Sequence, residues 1–139
     1  MAGQALGLRR FNSVKELLEH LDGEINSLKS QVEKLAARTA SLKARVEAIK
    51  SIEALLWGAS TTTPKYQVAD LGAVRVTVNP DPELELGEVG RVVEEYRKRL
   101  EALVKVRESV SALEPLGNSP LELEVIEEGG VPRLIIIKV

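Results

Sequence analysis

Leucines recur every seven residues in the first third of the chain, at positions 21, 28, 35 and 42. A second apolar series lies midway between them and is mostly β-branched: Leu18, Ile25, Val32 and Val46. This heptad pattern indicates one long amphipathic helix. Because β-branched residues hold most a positions and leucine most d positions, the pattern favours a parallel two-stranded coiled coil.

The apolar surface of this first helix is the predicted interface of a parallel homodimer. Its members are the apolar a and d residues Val14, Leu18, Leu21, Ile25, Leu28, Val32, Leu35, Leu42, Val46 and Ile49. The one polar member of the series is Thr39. The alternative is an intramolecular arrangement, in which the first helix packs on the second as an antiparallel hairpin.

Local signals set the boundaries of this coiled-coil helix at 13–57. Ser13 and Glu16 fit a capping box, with serine at the N-cap and glutamate three residues later. Gly58, which follows Trp57, is a typical stop signal. Residues 1–12 then form an N-terminal tail, and the small, polar residues 58–65 form a linker.

The remaining residues, 66–139, predict a small α+β domain with the order ββαββ. Two strands, 66–70 and 73–78, form a hairpin through a turn at 70–72. Asp81 suits a helix N-cap and Pro82 the first helical position. Two glycines in the first turns, at positions 87 and 90, suggest that the regular helix begins only near position 88.

The C-terminal part predicts a second hairpin, with strands at 121–125 and 134–139 around a turn at 127–130. The predicted fold class is therefore α+β: a long N-terminal coiled-coil helix followed by antiparallel hairpins packed on an amphipathic helix. The last strand is apolar on both faces, which is typical of a central strand or one covered on its second side. That cover is either the partner subunit or another protein that adds a strand.

Composition narrows the chemistry that this chain can perform. The formal net charge is −2, there is no cysteine, and His20 is the single histidine. Disulfides, thiolate zinc sites and cysteine nucleophiles are thereby excluded. His20 falls at a c position, which is expected to face solvent, and the acidic residues between 70 and 85 fit no calcium-loop spacing. We predict no catalytic, cofactor-binding or metal site, and no enzymatic activity.

The sequence also predicts the location of the protein and its thermal stability. The N-terminus lacks an apolar core long enough for a signal peptide, and the longest apolar run is too short to cross a bilayer. The predicted location is the cytoplasm, without membrane association. The high charged fraction, 29%, and the scarcity of Asn and Gln resemble thermophilic proteins, so we expect a melting temperature above the mesophilic range.

A basic stripe follows the second half of the first helix and consists of Lys34, Arg38, Lys43, Arg45 and Lys50. In a parallel dimer, Arg38 would face Lys43 and Arg45 would face Lys50, which is repulsive. One interpretation is a contact surface for an acidic partner or a nucleic-acid backbone. The other interpretations are a solvated face, or neutralisation by the acidic second helix folding back.

These patterns together predict a non-enzymatic coiled-coil oligomer that acts as a scaffold or adaptor for another macromolecule. One alternative is a nucleic-acid-associated protein that uses the basic stripe. A second rests on the order helix–hairpin–helix over residues 13–114, which resembles prefoldin. That resemblance implies a holding chaperone that binds unfolded clients and forms an oligomer larger than a dimer.

Overall fold

The computed structural model describes residues 5–55, 67–78 and 81–139. The element order is β1 (Leu6–Phe11), α1 (Val14–Leu55), β2 (Gln67–Asp70), β3 (Arg75–Val78), α2 (Pro82–Val110), a 3-10 helix (Ser111–Leu116), β4 (Glu122–Glu128) and β5 (Val131–Lys138). The predicted α+β class is confirmed. The predicted linker 58–65 and the helix end at Trp57 lie outside the described residues.

Helix α1 begins where the capping signal predicts. The Ser13 Oγ accepts a hydrogen bond from the Glu16 backbone N–H at 3.2 Å. The Glu16 carboxylate reaches back and accepts from the Asn12 backbone N–H at 2.7 Å, one residue before the serine. Two donors at the helix start are therefore satisfied by side chains, which fixes the first turn of α1.

Helix α2 begins at Pro82, earlier than the glycines suggest. The Asp81 Oδ1 accepts from the Glu83 backbone N–H at 3.0 Å, and the Asp81 carbonyl accepts from the Glu85 N–H at 2.9 Å. The cap and the proline at the first helical position thus nucleate a regular first turn. The expected start near position 88 is wrong, because this N-terminal signal outweighs the cost of two glycines.

The strands of the described residues form two antiparallel sheets. One has the order β1-β4-β5, and the other is the hairpin β2-β3. The β4-β5 turn consists of Gly129 and Gly130, whose φ angles are 62° and 80°, as a two-residue I′ turn requires. Strand β1 corrects the prediction of a plain tail at 1–12. Its apolar alternation is short, since it ends at the adjacent Arg9 and Arg10, and it becomes a strand by pairing with the distant β4.

Tertiary contacts divide the chain into two compact units: Met1–Val32 with Glu95–Val139 (unit 1), and Glu33–Glu94 (unit 2). In unit 1, α1 and α2 run antiparallel. The Lys15 N–H donates to the Gly117 carbonyl at 3.1 Å, and Arg107 Nε lies 2.8 Å from Asp22 Oδ1. The buried core of unit 1 combines both helices with β4: Val14, Leu17, Leu21, Ile25, Leu28, Leu103, Val110, Leu123 and Val125.

Unit 2 repeats the antiparallel helix arrangement beside the β2-β3 hairpin. Arg38 lies 2.5 Å from Glu85, and farther along α1 Lys50 lies 3.4 Å from Glu83, so α2 runs back along α1. The buried apolar side chains of this unit include Leu42, Val46 and Val93. Across the described part of the chain, no helix combines the length and apolarity needed to cross a membrane.

Candidate interaction surface

The apolar stripe of α1 is covered within the chain itself. Val14, Leu21, Ile25 and Leu28 are buried in the same cluster as Leu103 of α2. Of the other predicted interface residues, Leu42 and Val46 are buried, and the half-buried ones are Leu18, Val32, Leu35 and Ile49. A side chain packed in its own core is available to a second helix only if that core opens. The intramolecular alternative therefore accounts for this stripe.

The basic stripe is partly neutralised by α2. The Arg38 guanidinium bonds to Glu85, and Lys50 pairs with Glu83. The other three members of the stripe, Lys34, Lys43 and Arg45, have exposed side chains with no carboxylate within 4 Å among the described residues. Two of the five predicted contact residues are thus paired with carboxylates of α2.

The acidic and histidine candidates each have a local structural role. Asp70 Oδ1 accepts from the Gly72 backbone N–H at 2.8 Å in the turn between β2 and β3, as Asp81 does at its helix cap. Within 5–55, 67–78 and 81–139, no group of three or more potential ligand side chains could hold a metal ion. His20, expected to face solvent, is half-buried and lies 5.4 Å from the Phe11 ring, measured between centroids.

The sheet β1-β4-β5 has an inner face that packs on the helices. Side chains of cross-strand partners lie on the same face, so the rows can be read from the register. One inner row is Phe11, Leu123 and Ile137, and the next contains Val125 and Ile135. Leu123 and Val125 on the central strand are completely buried. This face therefore completes the hydrophobic core of unit 1.

The opposite, outer face of the sheet is apolar and open. Leu8, Ile126 and Leu134 form one cross-strand row, hereafter the outer row. Leu8 and Leu134 are 55% and 52% exposed, and Leu6 farther along β1 is 74% exposed. Ile136 of β5 adds a further exposed side chain to this face. The described residues thus leave a contiguous apolar patch on a rigid sheet.

Charged groups border the outer row at one end. Glu124 on the central strand lies between Arg10 of β1 and Ile136 of β5, and its side chain is 11% exposed. Its carboxylate accepts a hydrogen bond from Lys138 Nζ. This hydrogen bond, aided by the positive charge of Arg10, lowers the pKa of Glu124, and the same bond raises the pKa of Lys138. The patch therefore has a polar border in which Glu124 and Lys138 are paired.

The Glu124–Lys138 pair gives stability a defined pH dependence. Because the pKa of Glu124 is below its ordinary value of 4.5 in the folded chain, its contribution is present above 4.5 and is lost as pH falls through the folded pKa. Glu124→Gln should therefore lower the urea midpoint at neutral pH, and this loss should vanish in acid. An equal loss at both pH values would contradict the assignment. Lys138→Met removes the other partner of the same pair and should show the same dependence on pH.

Two clefts flank the elements described above. The cleft of unit 1, about 730 Å³, lies between α2 and the β4-β5 turn, and the one of unit 2, about 560 Å³, lies between α2 and β3. In the first, Arg133 bonds to Glu128, and Arg99 lies over the Tyr96 ring at 5.7 Å. The residues lining both clefts include no histidine or cysteine.

Comparison with protein-family models, curated proteins and solved structures finds no match to this chain. The fold and its surfaces therefore define the protein only as an α+β chain of two units. Its most distinctive surface is the open outer face of the sheet.

The residues that form this surface were largely missed at the sequence level. Leu6 and Leu8 fall in the segment interpreted as a tail, although their alternation with Gly7 and Arg9 has the period of a strand. The apolar run Leu134–Ile137 was recognised, and its need for a cover on the second face was predicted. What the pattern left open was whether β5 lies at the centre of the sheet or, as Pro132 at its start suggests, at the edge.

Proposed function

We propose that this protein is a non-enzymatic scaffold or adaptor that binds another protein through the outer face of the sheet β1-β4-β5. The observation that carries this proposal is the open outer row, with Leu8 and Leu134 more than half exposed on the two strands that flank β4. The location that we propose is the cytoplasm.

Two features of the outer face favour it as a protein-binding surface. Contiguous exposed apolar patches on folded proteins mark interaction sites, especially where polar groups border them. The outer row has such a border in Arg10, Glu124 and Lys138. Because its side chains project from paired strands, a partner that covers them orders few additional groups, which limits the entropic cost of binding.

The basic stripe gives less support to nucleic-acid binding. A phosphate-binding surface gains affinity because its unpaired cations release the counterions that are condensed on the nucleic acid. Arg38 and Lys50 are instead bonded to Glu85 and Glu83. We therefore expect DNA and RNA retardation at low salt to be negligible, and equally so after Arg38→Gln, Lys43→Gln and Arg45→Gln are combined.

Site-specific photo-crosslinking tests the scaffold proposal. A benzophenone amino acid replaces Leu8 on the outer row or, as a control, Ala112, which is exposed in the 3-10 helix. In lysate of the source organism, we expect the Leu8 probe to give one discrete adduct with another protein and the Ala112 probe to give none. Adding Leu134→Glu should abolish that adduct.

Three results would contradict the proposal: no adduct at position 8, equal adducts at both positions, or an adduct that survives Leu134→Glu. Suppression of aggregation of an unfolded client offers a further comparison. If the wild-type chain suppresses aggregation and Leu8→Glu with Leu134→Glu leaves that effect unchanged, the prefoldin-like alternative replaces the scaffold proposal.

A further inference from the structure

Strand β5 ends the three-stranded sheet with an open edge. Among the described residues, β5 pairs with β4 on one side and with no strand on the other. An edge strand presents unpaired backbone N–H and C=O groups, and folded proteins protect such edges with charges, prolines or very short strands. In β5 these protections stand at the two ends, as Pro132, Arg133 and Lys138, whereas the central residues Leu134–Ile137 carry none of them.

Both faces of β5 are incompletely covered. On the outer face, Leu134 is 52% and Ile136 is 36% exposed, and on the inner face Ile137 is 38% exposed. A protein that packs flat against the outer face would leave Ile137 uncovered. An added strand covers both faces at once, because its own side chains alternate between them.

We propose that the added strand is β5 of a second copy, so that two chains pair antiparallel along β5 into one six-stranded sheet. The pairing strand must be apolar on both faces, and β5 itself meets this requirement. Antiparallel pairing centred on Ile135 places Leu134 opposite the partner's Ile136 and therefore matches apolar side chains on the outer face.

Charge distribution selects β5 over the other edge. Strand β1 carries two adjacent cations, Arg9 and Arg10. Arg9 bonds to Glu127, whereas Arg10 has no ion pair among the described residues, so pairing two copies of β1 would bring unpaired positive charge into the shared edge. The cations of β5 lie outside its apolar run, and each has a carboxylate partner within its own chain. Arg133 bonds to Glu128, and Lys138 bonds to Glu124. The charged residues at the two ends of β5 are thus neutralised by ion pairs within the chain.

The pairing has a consequence for the scaffold role, and in that respect it rests on the proposed function. The outer rows of the two copies become parts of one continuous face, with the two β5 strands at its centre. A binding protein then meets an apolar surface twice as large as the one on a single chain. The dimer itself can be tested without any binding protein.

Light scattering after gel filtration tests the dimer. We expect the purified chain to have twice its 15.2 kDa mass. Ile136→Lys places a charge in the paired edge and should reduce the mass about twofold. Leu84→Lys, at a residue of equal exposure on α2, should leave it unchanged. Circular dichroism spectra establish that both variants are folded.

Cysteine pairing tests the register, since the natural chain has no cysteine. Leu134→Cys and Ile136→Cys proteins, mixed and oxidised, should form disulfide-linked dimers more completely than either protein alone, because cross-strand Cβ atoms in such a pair lie within disulfide reach. A monomeric wild-type chain, a dimer that survives Ile136→Lys, or no preference for the mixed pair would overturn the proposal.

Failure of the dimer is distinguishable from failure of the scaffold role. Leu8→Glu should leave the dimer mass intact and remove binding of the other protein. A chain that is monomeric yet still gives the Leu8 photo-adduct would overturn β5 pairing and leave the scaffold proposal standing. If the chain is monomeric and Ile136→Lys removes the Leu8 photo-adduct, then a strand of another protein pairs with the edge of β5.

Discussion

Replacing Leu103 with alanine should lower the free energy of unfolding by about 2–5 kcal/mol, the range for large-to-small changes in well-packed cores. Leu103 is 1% exposed and shares the core of unit 1 with Leu21 of α1 and Leu123 of β4. Its loss leaves a cavity bordered by three elements, each held by its own backbone hydrogen bonds. Urea unfolding, followed by circular dichroism, measures the change.

Leu116 provides the matched control for Leu103, since it lies in the same unit and is 38% exposed. Leu116→Ala should change the unfolding free energy by only about 0.5 kcal/mol, as is usual for surface positions. Equal losses from the two alanine variants would contradict the core arrangement, because they would mean that Leu103 is no more buried than a surface leucine.

Replacing Gly130 with valine should destabilise the chain by roughly 1–3 kcal/mol, the cost of holding a non-glycine residue in a sparsely populated backbone region. Gly130 has a φ of 80°, and a Cβ built there meets nothing nearer than the Arg99 side chain at 4.0 Å. The cost therefore comes from backbone conformation, with little contribution from crowding. Thermal and urea unfolding report it.

A comparison of Gly130→Asn with Gly130→Val distinguishes the cost of backbone strain from the cost of replacing glycine with any other residue. Asn adopts positive φ far more readily than a β-branched residue, so Gly130→Asn should be markedly less destabilising than Gly130→Val. The β4-β5 hairpin assignment would be contradicted if both variants were as stable as the natural chain, or if asparagine were as costly as valine.

Local signals in the sequence predict several of the elements. Ser13 and Glu16 predict the start of α1, and Asp81 with Pro82 predicts the cap of α2, although the two glycines led to an expected start near position 88. Gly129 and Gly130 marked the second hairpin. These features act within a few residues along the chain, through caps and backbone conformation. They can therefore be interpreted without knowledge of the tertiary structure.

Tertiary relations were less accessible to prediction. The heptad pattern of α1 predicts an apolar stripe and the need to cover it, but burial against a helix of the same chain satisfies that need as well as burial against another chain. Nothing in the sequence at Leu21 and Leu28 distinguishes burial within the chain from burial against another chain. Strand β1 was missed for a similar reason, because its pairing with β4 joins the two ends of the chain.

For the interaction surface, too, local features could be predicted from the sequence and tertiary relations could not. The two-faced apolarity of β5 was visible in the run Leu134–Ile137, and so was its need for a second cover. The identity of the outer row was not visible, because Leu8 and Leu134 become neighbours of Ile126 only through the register of three strands. Prediction from sequence therefore identified β5, and the fold was required to identify the face.

The central claim is that α1 packs on α2 of its own chain in unit 1, and chemical crosslinking tests it most directly. Arg107 Nε and Asp22 Oδ1 are 2.8 Å apart, so Asp22→Cys with Arg107→Cys places two thiols close together in a chain with no other cysteine. Treatment of an equal mixture of ¹⁵N-labelled and unlabelled protein with a short bismaleimide should give crosslinked single chains, identified by mass spectrometry of the joined peptides. If the joined peptides come mainly from different chains, with mixed isotope labels, then α1 pairs between molecules and the claim is contradicted.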